Sequence, residues 1–319
     1  MKKIKWLVVC CVLCFAGVVT GCKTNGYAED KITIVCTNFA LYDWTSQLLG
    51  NSDAEVILIP GNGADMHSFQ PSAEELIQIA DCEMLVHVGG ESDGWLTDAL
   101  EANPSETRVV VNLMEVLEDD VCVEDCEEDV HAGHEHTHEN VSDEHVWLSL
   151  RMAVKSCEAI EDALCQVLPA DADQIRENGR EYYGELVALD QKYTDVIMAG
   201  KPNCVVIMAD RFPFVYMMED YALEYYAAFP GCSTESEADF ETVVFLAEKV
   251  KEYKTDVLLI TESGNDTLAN AVYENAGTYG ETAVLHSMQV VYQSDIEAGC
   301  SYIGYMEANL EVLKKVLGE

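Results

Sequence analysis

Three histidines and one aspartate, His67, His145, His286 and Asp210, stand at points of this sequence where a metal ion could gather them. His67 falls in PGNGADMHSFQP, His145 in DEHVWL, Asp210 in MADRFPF and His286 in VLHSM. Three neutral imidazoles and a carboxylate form a borderline-hard donor set that suits Zn2+ at four-coordinate, tetrahedral geometry. Taken singly, each residue has a plainer role. A loop histidine is usually solvated, and an aspartate at a strand end usually caps the helix that follows. What lifts the four above that level is where the surrounding pattern puts them. His87 makes the contrast: it lies inside the apolar run MLVHVG with no partner suggested, and it reads as structural.

The elements that would position them alternate. β-Branched apolar runs at 31–37, 54–60, 84–89 and 107–113 are separated by helical patterns at about 40–50, 72–81 and 92–102. Ser72 followed three residues later by Glu75 is a capping-box signal for a helix start. The second half repeats the scheme, with strand runs at 203–209, 223–229, 255–262 and 281–286. Its helical patterns fall at about 212–220, 237–253, 264–276 and 301–317. Strands alternating with helices give a parallel sheet covered on both faces. Between the halves, about 171–199 contains no proline, and Ile175, Tyr182, Tyr183, Leu186, Leu189, Tyr193 and Ile197 recur at helical spacing. The expected fold is therefore α/β: two parallel-sheet lobes, 31–168 and 200–319, joined by one long rigid helix at 170–199. Ligands of such sheets bind beyond the carboxyl ends of the strands. His67 and His145 reach that edge from the first lobe, Asp210 and His286 from the second, so the metal site is expected in the cleft.

Composition narrows the partners. The 319 residues carry a formal charge of −40, which repels phosphate backbones and excludes nucleic acid as a natural partner. The same field concentrates cations, although solubility alone would account for an acidic surface. With 49% apolar residues, neither lobe lacks material for a core.

One stretch, 118–144, is acidic, lacks apolar periodicity and reads as a loop. It carries His131, His134, His136 and His138 among carboxylates, a composition that binds metals weakly at several rearranging sites. It is either an auxiliary metal collector or a solvated loop without a role of its own.

The first 22 residues read as a processing segment: Lys2, Lys3 and Lys5, then an apolar run from Trp6 to Val19 that is short for a membrane span. The segment ends in Val19-Thr20-Gly21-Cys22, which resembles a bacterial lipobox and so implies a lipid on Cys22. Of 13 cysteines, Cys10, Cys11 and Cys14 would leave with the signal, and nine would remain besides Cys22. An odd number leaves at least one unpaired. Cys122 and Cys126 could form a local disulfide or a soft-metal site.

Beyond these patterns, the chain resembles the zinc/manganese-binding solute receptors of bacterial metal ABC importers. In that family a G-x-x-x-H-x-(Y/F)-x-P-(S/T) segment carries the first ligand, matched here by Gly63 through Ser72 around His67. The D-P-H-x-W-L segment of the second ligand appears as Asp143-Glu144-His145-Val146-Trp147-Leu148. A His-rich acidic loop before it marks the zinc-type members. The second lobe departs from the pattern. The usual His or Glu before x-A-F-x-Y becomes Asp210-Arg211-Phe212-Pro213-Phe214-Val215-Tyr216, with Glu219, Cys232 and Glu262 as alternatives for the third ligand. The fourth position, commonly Asp in L-D-P, reads Leu285-His286-Ser287. Histidine there favours zinc over manganese.

The resemblance implies capture rather than catalysis. An extracytoplasmic, lipid-anchored and monomeric zinc-binding protein would close slightly about its stiff helix and deliver Zn2+ to a membrane permease. Three readings compete: a manganese receptor of the same family, an extracellular zinc hydrolase with three histidines and an open water position, and a surface adhesin. No HExxH signature supports the hydrolase.

Overall fold

A computed structural model describes residues 31–318 apart from 62, 122–141, 203 and 234–237. The expectations for Cys22, for the Cys122/Cys126 pair and for His131, His134, His136 and His138 lie outside the described residues.

Two four-stranded parallel sheets are present. The first contains β1 (Ile32–Cys36), β2 (Ala54–Leu58), β3 (Met84–His87) and β4 (Val109–Asn112) in the order β2-β1-β3-β4. The second contains β5 (Val205–Phe212), β6 (Glu224–Pro230), β7 (Val257–Ile260) and β8 (Glu281–Val284) in the equivalent order β6-β5-β7-β8. Every pairing is parallel. Burial dictates this: β3 and β7 are buried on both faces and need helices on each side. Helices start where polar side chains meet their first amides. Ser72 and Glu75 form the capping box, with Ser72 N–H donating to Glu75 Oε2 at 2.7 Å. Asp239 caps the helix Phe240–Tyr253 through the amide of Thr242.

The helix Ala172–Ala199 joins the lobes. At 1.5 Å per residue it is roughly 42 Å long. Its buried stripe, Ile175, Tyr182, Leu186, Leu189 and Tyr193, follows the helical period. Asn178 donates to Leu48 O of the first lobe at 2.9 Å, and Tyr193 to Met306 O of the C-terminal helix at 2.6 Å. That C-terminal helix, Tyr302–Leu317, also reaches the first lobe. The Tyr302 amide donates to buried Asp43 at 2.9 Å, and the Tyr302 ring meets Trp44 edge-on at 5.0 Å. One buried cluster consequently runs from Ile34 and Trp44 through Leu186 and Tyr193 to Phe212 and Leu285. Residues from Ile32 onward form a single compact unit. Shared core makes the junction between lobes stiff, because packed interiors do not deform continuously.

Candidate metal centre

His67 and His145 meet at the carboxyl edge of the first sheet. His67 lies on a one-turn 3-10 helix, Met66–Ser68, after β2, capped by Asp65 Oδ1 on the His67 amide at 3.0 Å. Asp65 also pairs across the cleft with Arg211 at 3.1 Å. His145 is completely buried and immediately precedes the 3-10 turn Val146–Leu148. The indole of Trp147 in that turn donates to Ser287 O in the second lobe at 2.8 Å.

Each imidazole is oriented from behind by a carboxylate. His145 Nδ1 lies 3.0 Å from Asp143 Oδ1. His67 Nδ1 lies 2.7 Å from Ser92 Oγ, whose hydroxyl hydrogen bonds in turn to Glu144 Oε1. Glu144 itself stands 3.3 Å from His67 Nδ1 and takes the Ser92 amide at 2.9 Å. Such backing fixes the proton on Nδ1 and leaves Nε2 as a donor to metal. The two Nε2 atoms face each other at 3.4 Å. Two nitrogens each about 2.0–2.1 Å from a tetrahedral zinc would lie roughly 3.3–3.4 Å apart.

Burial alone would raise the Glu144 carboxyl, but His67, the nearby His145 ring and both donors of Ser92 outweigh it and hold it at about 2. Glu144 is therefore an anion beside the pair.

The second lobe adds a sulfur. Cys232, in the turn after β6, points its thiol at Glu144 Oε1 from 3.6 Å. Ligand atoms of His67, Glu144, His145 and Cys232 all lie within 4.8 Å of one another. This is the metal-type cluster found among the described residues. Gly231 allows the approach, since a Cβ there would sit 2.9 Å from His145 Cε1 and 3.0 Å from Phe212 O. The turn after β8 brings Gln289, whose amide nitrogen is 2.7 Å from His67 Nε2 and 2.6 Å from His145 Nε2.

Asp210 and His286, expected with the pair, stand outside this cluster. Strand β5 runs on to Phe212 with a register shift between Met208 and Arg211, so Asp210 lies within the strand and not at its end. Its Oδ2 accepts the Thr261 amide at 2.9 Å and hydroxyl at 2.6 Å, and its Oδ1 accepts the Arg211 amide at 2.8 Å. Asp210 thus holds the loop after β7. Strand β8 stops at Val284, so His286 belongs to the following turn. Its Nδ1 accepts the Met288 amide at 3.1 Å, and its ring packs on Tyr305 with centroids 3.9 Å apart. Burial lowers its pKa, against the opposing pull of Glu262 and Asp295. Glu262, weighed as a third ligand, is spent on the same turn: it accepts from the amides of Ser287, Gln289 and Val290 at 2.8–3.1 Å. Glu219, also weighed, lies in the helix Val215–Tyr221 away from the cluster.

Cys232 was open to sequence reasoning as an alternative, while Glu144 and Gln289 were not singled out. Glu144 had a signal, because it replaces the proline of the D-P-H pattern. Gln289 had none, since its position depends on where β8 ends.

Two similarly wound lobes sharing a stiff core, with a transition-metal donor cluster in the cleft, define a bilobal binding architecture. The chain belongs to the family described as ZnuA, zinc-uptake complex component A, periplasmic, whose model matches residues 34–316. It is 30% identical over 318 residues to the zinc-binding lipoprotein AdcA of Streptococcus pneumoniae, covering 99% of this chain and 61% of that protein. This chain therefore spans less than two thirds of the length of that relative. It is 26% identical to the high-affinity zinc uptake system protein ZnuA of Bacillus subtilis, over 92% of this chain and 91% of that one. The crystal structure of the Zn(II)-bound ZnuA-like domain of S. pneumoniae AdcA superposes with a TM-score of 0.72 at 26% identity, covering 91% of this chain and all of that domain.

Proposed function

We propose that this protein is the solute-binding component of a bacterial ABC importer, capturing one Zn2+ in the cleft and delivering it to a membrane permease. The observation that carries the reading is the carboxylate-backed pair His67 and His145, with Nε2 atoms 3.4 Å apart and the Cys232 thiol beside them. The names of its relatives, zinc-binding lipoprotein AdcA and high-affinity zinc uptake system protein ZnuA, support it. The ligands are His67, His145 and Cys232, with Glu144 backing the His67 imidazole. This set differs from three histidines and an aspartate by its sulfur, and a thiolate favours zinc over manganese more strongly than a second carboxylate would. Asp210 and His286 act as loop holders rather than ligands.

The lipobox-like Val19-Thr20-Gly21-Cys22 supports attachment to the outer face of the membrane through a lipid on Cys22. The role is binding and transfer, not catalysis. The single core through both lobes supports delivery by a small rearrangement at the cleft rather than a wide hinge.

Metal content of the purified chain, followed by competition with Mn2+, tests the reading. One tightly held zinc that manganese does not displace is expected, and it should be lost in His67→Ala and Cys232→Ser. A chain that retains no zinc, or prefers manganese, would overturn the assignment.

A further inference from the structure

We propose that Arg211 is a positioning residue of the zinc site: through Asp65 it ties the turn that carries His67 to the second lobe, beside the turn that carries Cys232. The inference rests on the zinc-receptor reading and adds to it a group that touches no metal yet sets how well the two sides of the site meet.

A guanidinium at this place needs an account. The chain has 18 lysines and arginines against 58 aspartates and glutamates, and a cation near a cation site opposes the cargo. Arg211 cannot serve as a ligand, because its guanidinium stays protonated. Its contacts supply the account. Nη2 donates to Asp65 Oδ2 at 3.1 Å and to Ser263 Oγ at 3.1 Å, so the head group is held from both lobes. The Arg211 side chain is only 13% exposed, which sets this pair apart from open surface bridges that water and salt screen.

Asp65 transmits the tie to His67. Its two carboxylate oxygens have separate tasks: Oδ2 takes Arg211, while Oδ1 takes the His67 amide at 3.0 Å. A planar carboxylate bonded at both oxygens fixes the amide it caps relative to the guanidinium. Two residues earlier the same segment meets the second lobe again. The Gly63 amide donates to Val291 O at 2.9 Å, and Gly63, at φ 78°, lies so close to Tyr292 that a Cβ there would run into its ring. The main chain leading into His67 is therefore placed by the second lobe, while its ring is backed by Ser92 and Glu144 of the first.

The other end of the tie is firmly mounted. Arg211 pairs with Phe229 and Phe212 with Pro230 in the β5–β6 ladder, and Gly231 and Cys232 follow directly. The Phe212 ring stacks on Tyr225 of β6 with centroids 4.0 Å apart. Strand β5 thus holds the guanidinium and flanks the end of the strand that presents Cys232. Metal sites need their ligands within about 0.5 Å of the productive geometry, and this tie links a ligand of each lobe.

The charge of Arg211 and its positioning role predict opposite results. Acting through its field alone, the guanidinium repels zinc, and Arg211→Gln should tighten binding. Acting through Asp65, it supports the site, and the same change should weaken binding. Asp65→Asn breaks the tie from the other side and keeps the cap on His67, since asparagine caps as well as aspartate.

The test compares the chelator-stripped full chain with Arg211→Gln, Asp65→Asn and the double variant. Zinc affinity is read by competition, and site geometry by the visible spectrum of the Co2+-loaded forms. Each single change should weaken zinc about tenfold or more, and the double variant should be no weaker than the weaker single one, because both break one tie. The Co2+ ligand-field bands, which follow ligand geometry, should shift in all three. An Arg211→Gln variant that binds zinc as tightly as wild type, or more tightly, would overturn the inference, as would losses that add up in the double variant. Should Arg211→Gln fail to fold, Asp65→Asn decides: Co2+ bands identical to those of wild type would reduce the pair to a charge effect and overturn positioning. A wild type that takes up no zinc would overturn the receptor reading itself, and this inference with it.

Discussion

The two halves of the cleft are built differently. The first lobe offers two imidazoles, each held from behind by a carboxylate and set on a capped turn. In the second lobe the carboxylates Asp210, within β5, and Glu262, after β7, are spent on the protein's own loops, and the groups facing the pair come from turns, Cys232 after β6 and Gln289 after β8. Charge at the edge of a sheet does not by itself make a ligand. Whether a carboxylate faces a cargo or a neighbouring amide depends on the local end of its strand.

The largest effect should come from breaking the first half. His145→Ala removes a buried imidazole of the proposed set and leaves Asp143 without its partner. Zinc affinity should fall by at least about a thousandfold, or ~4 kcal/mol, as read by competition with a chromogenic chelator. Glu144→Gln tests the backing rather than the ligand. Affinity should drop about 10- to 100-fold with the zinc stoichiometry kept, and a larger loss would make Glu144 a ligand in its own right.

Asp210→Ala sharpens the contrast from the other side. Its carboxylate satisfies Thr261 and the Arg211 amide, so unfolding stability should fall by about 1–3 kcal/mol. Zinc affinity measured on the folded variant should stay within about threefold if the loop it holds is independent of the site. A loss as large as that of His145→Ala would return Asp210 to the ligand set.

The smallest effect concerns Asp43, where the C-terminal helix docks on the first lobe. Burial raises its pKa against the bonds from Tyr302 and Gln47 that lower it. A raised carboxyl pKa means the folded state binds the proton more tightly than the unfolded state does. Its contribution is then complete below the unfolded value and declines as pH rises through the folded one. Asp43→Asn should flatten the fall in stability with rising pH across the mildly acidic range, a difference visible in parallel thermal melts.

Much of the fold was legible because both sheets are parallel and buried, so their strands are continuous apolar runs. The expected 54–60 and 84–89 contain Ala54–Leu58 and Met84–His87, and the helix foreseen at 171–199 is Ala172–Ala199. The capping box at Ser72 and Glu75 formed as its spacing indicates. The encounter of His67 with His145 was also legible, since both follow strands of one sheet. Which second-lobe side chains face this pair was not legible, and small offsets explain why. A run read as a strand to 286 ends at Val284, and one read to 209 continues to Phe212 through a bulge. Shifts of two or three residues exchange one strand-end side chain for another, here His286 for Gln289. Apolar periodicity locates a strand without marking its last hydrogen bond.

Trp147 stands against the inner histidine, with ring centroids 5.2 Å apart, and is fully buried between the lobes. Its indole is tied to Ser287 O, and its own carbonyl takes the Tyr302 hydroxyl at 2.7 Å. An indole so placed is an intrinsic optical probe. Its emission should respond when His145 exchanges an amide hydrogen for a dication, so that filling and emptying of the cleft can be followed in stopped flow without a label.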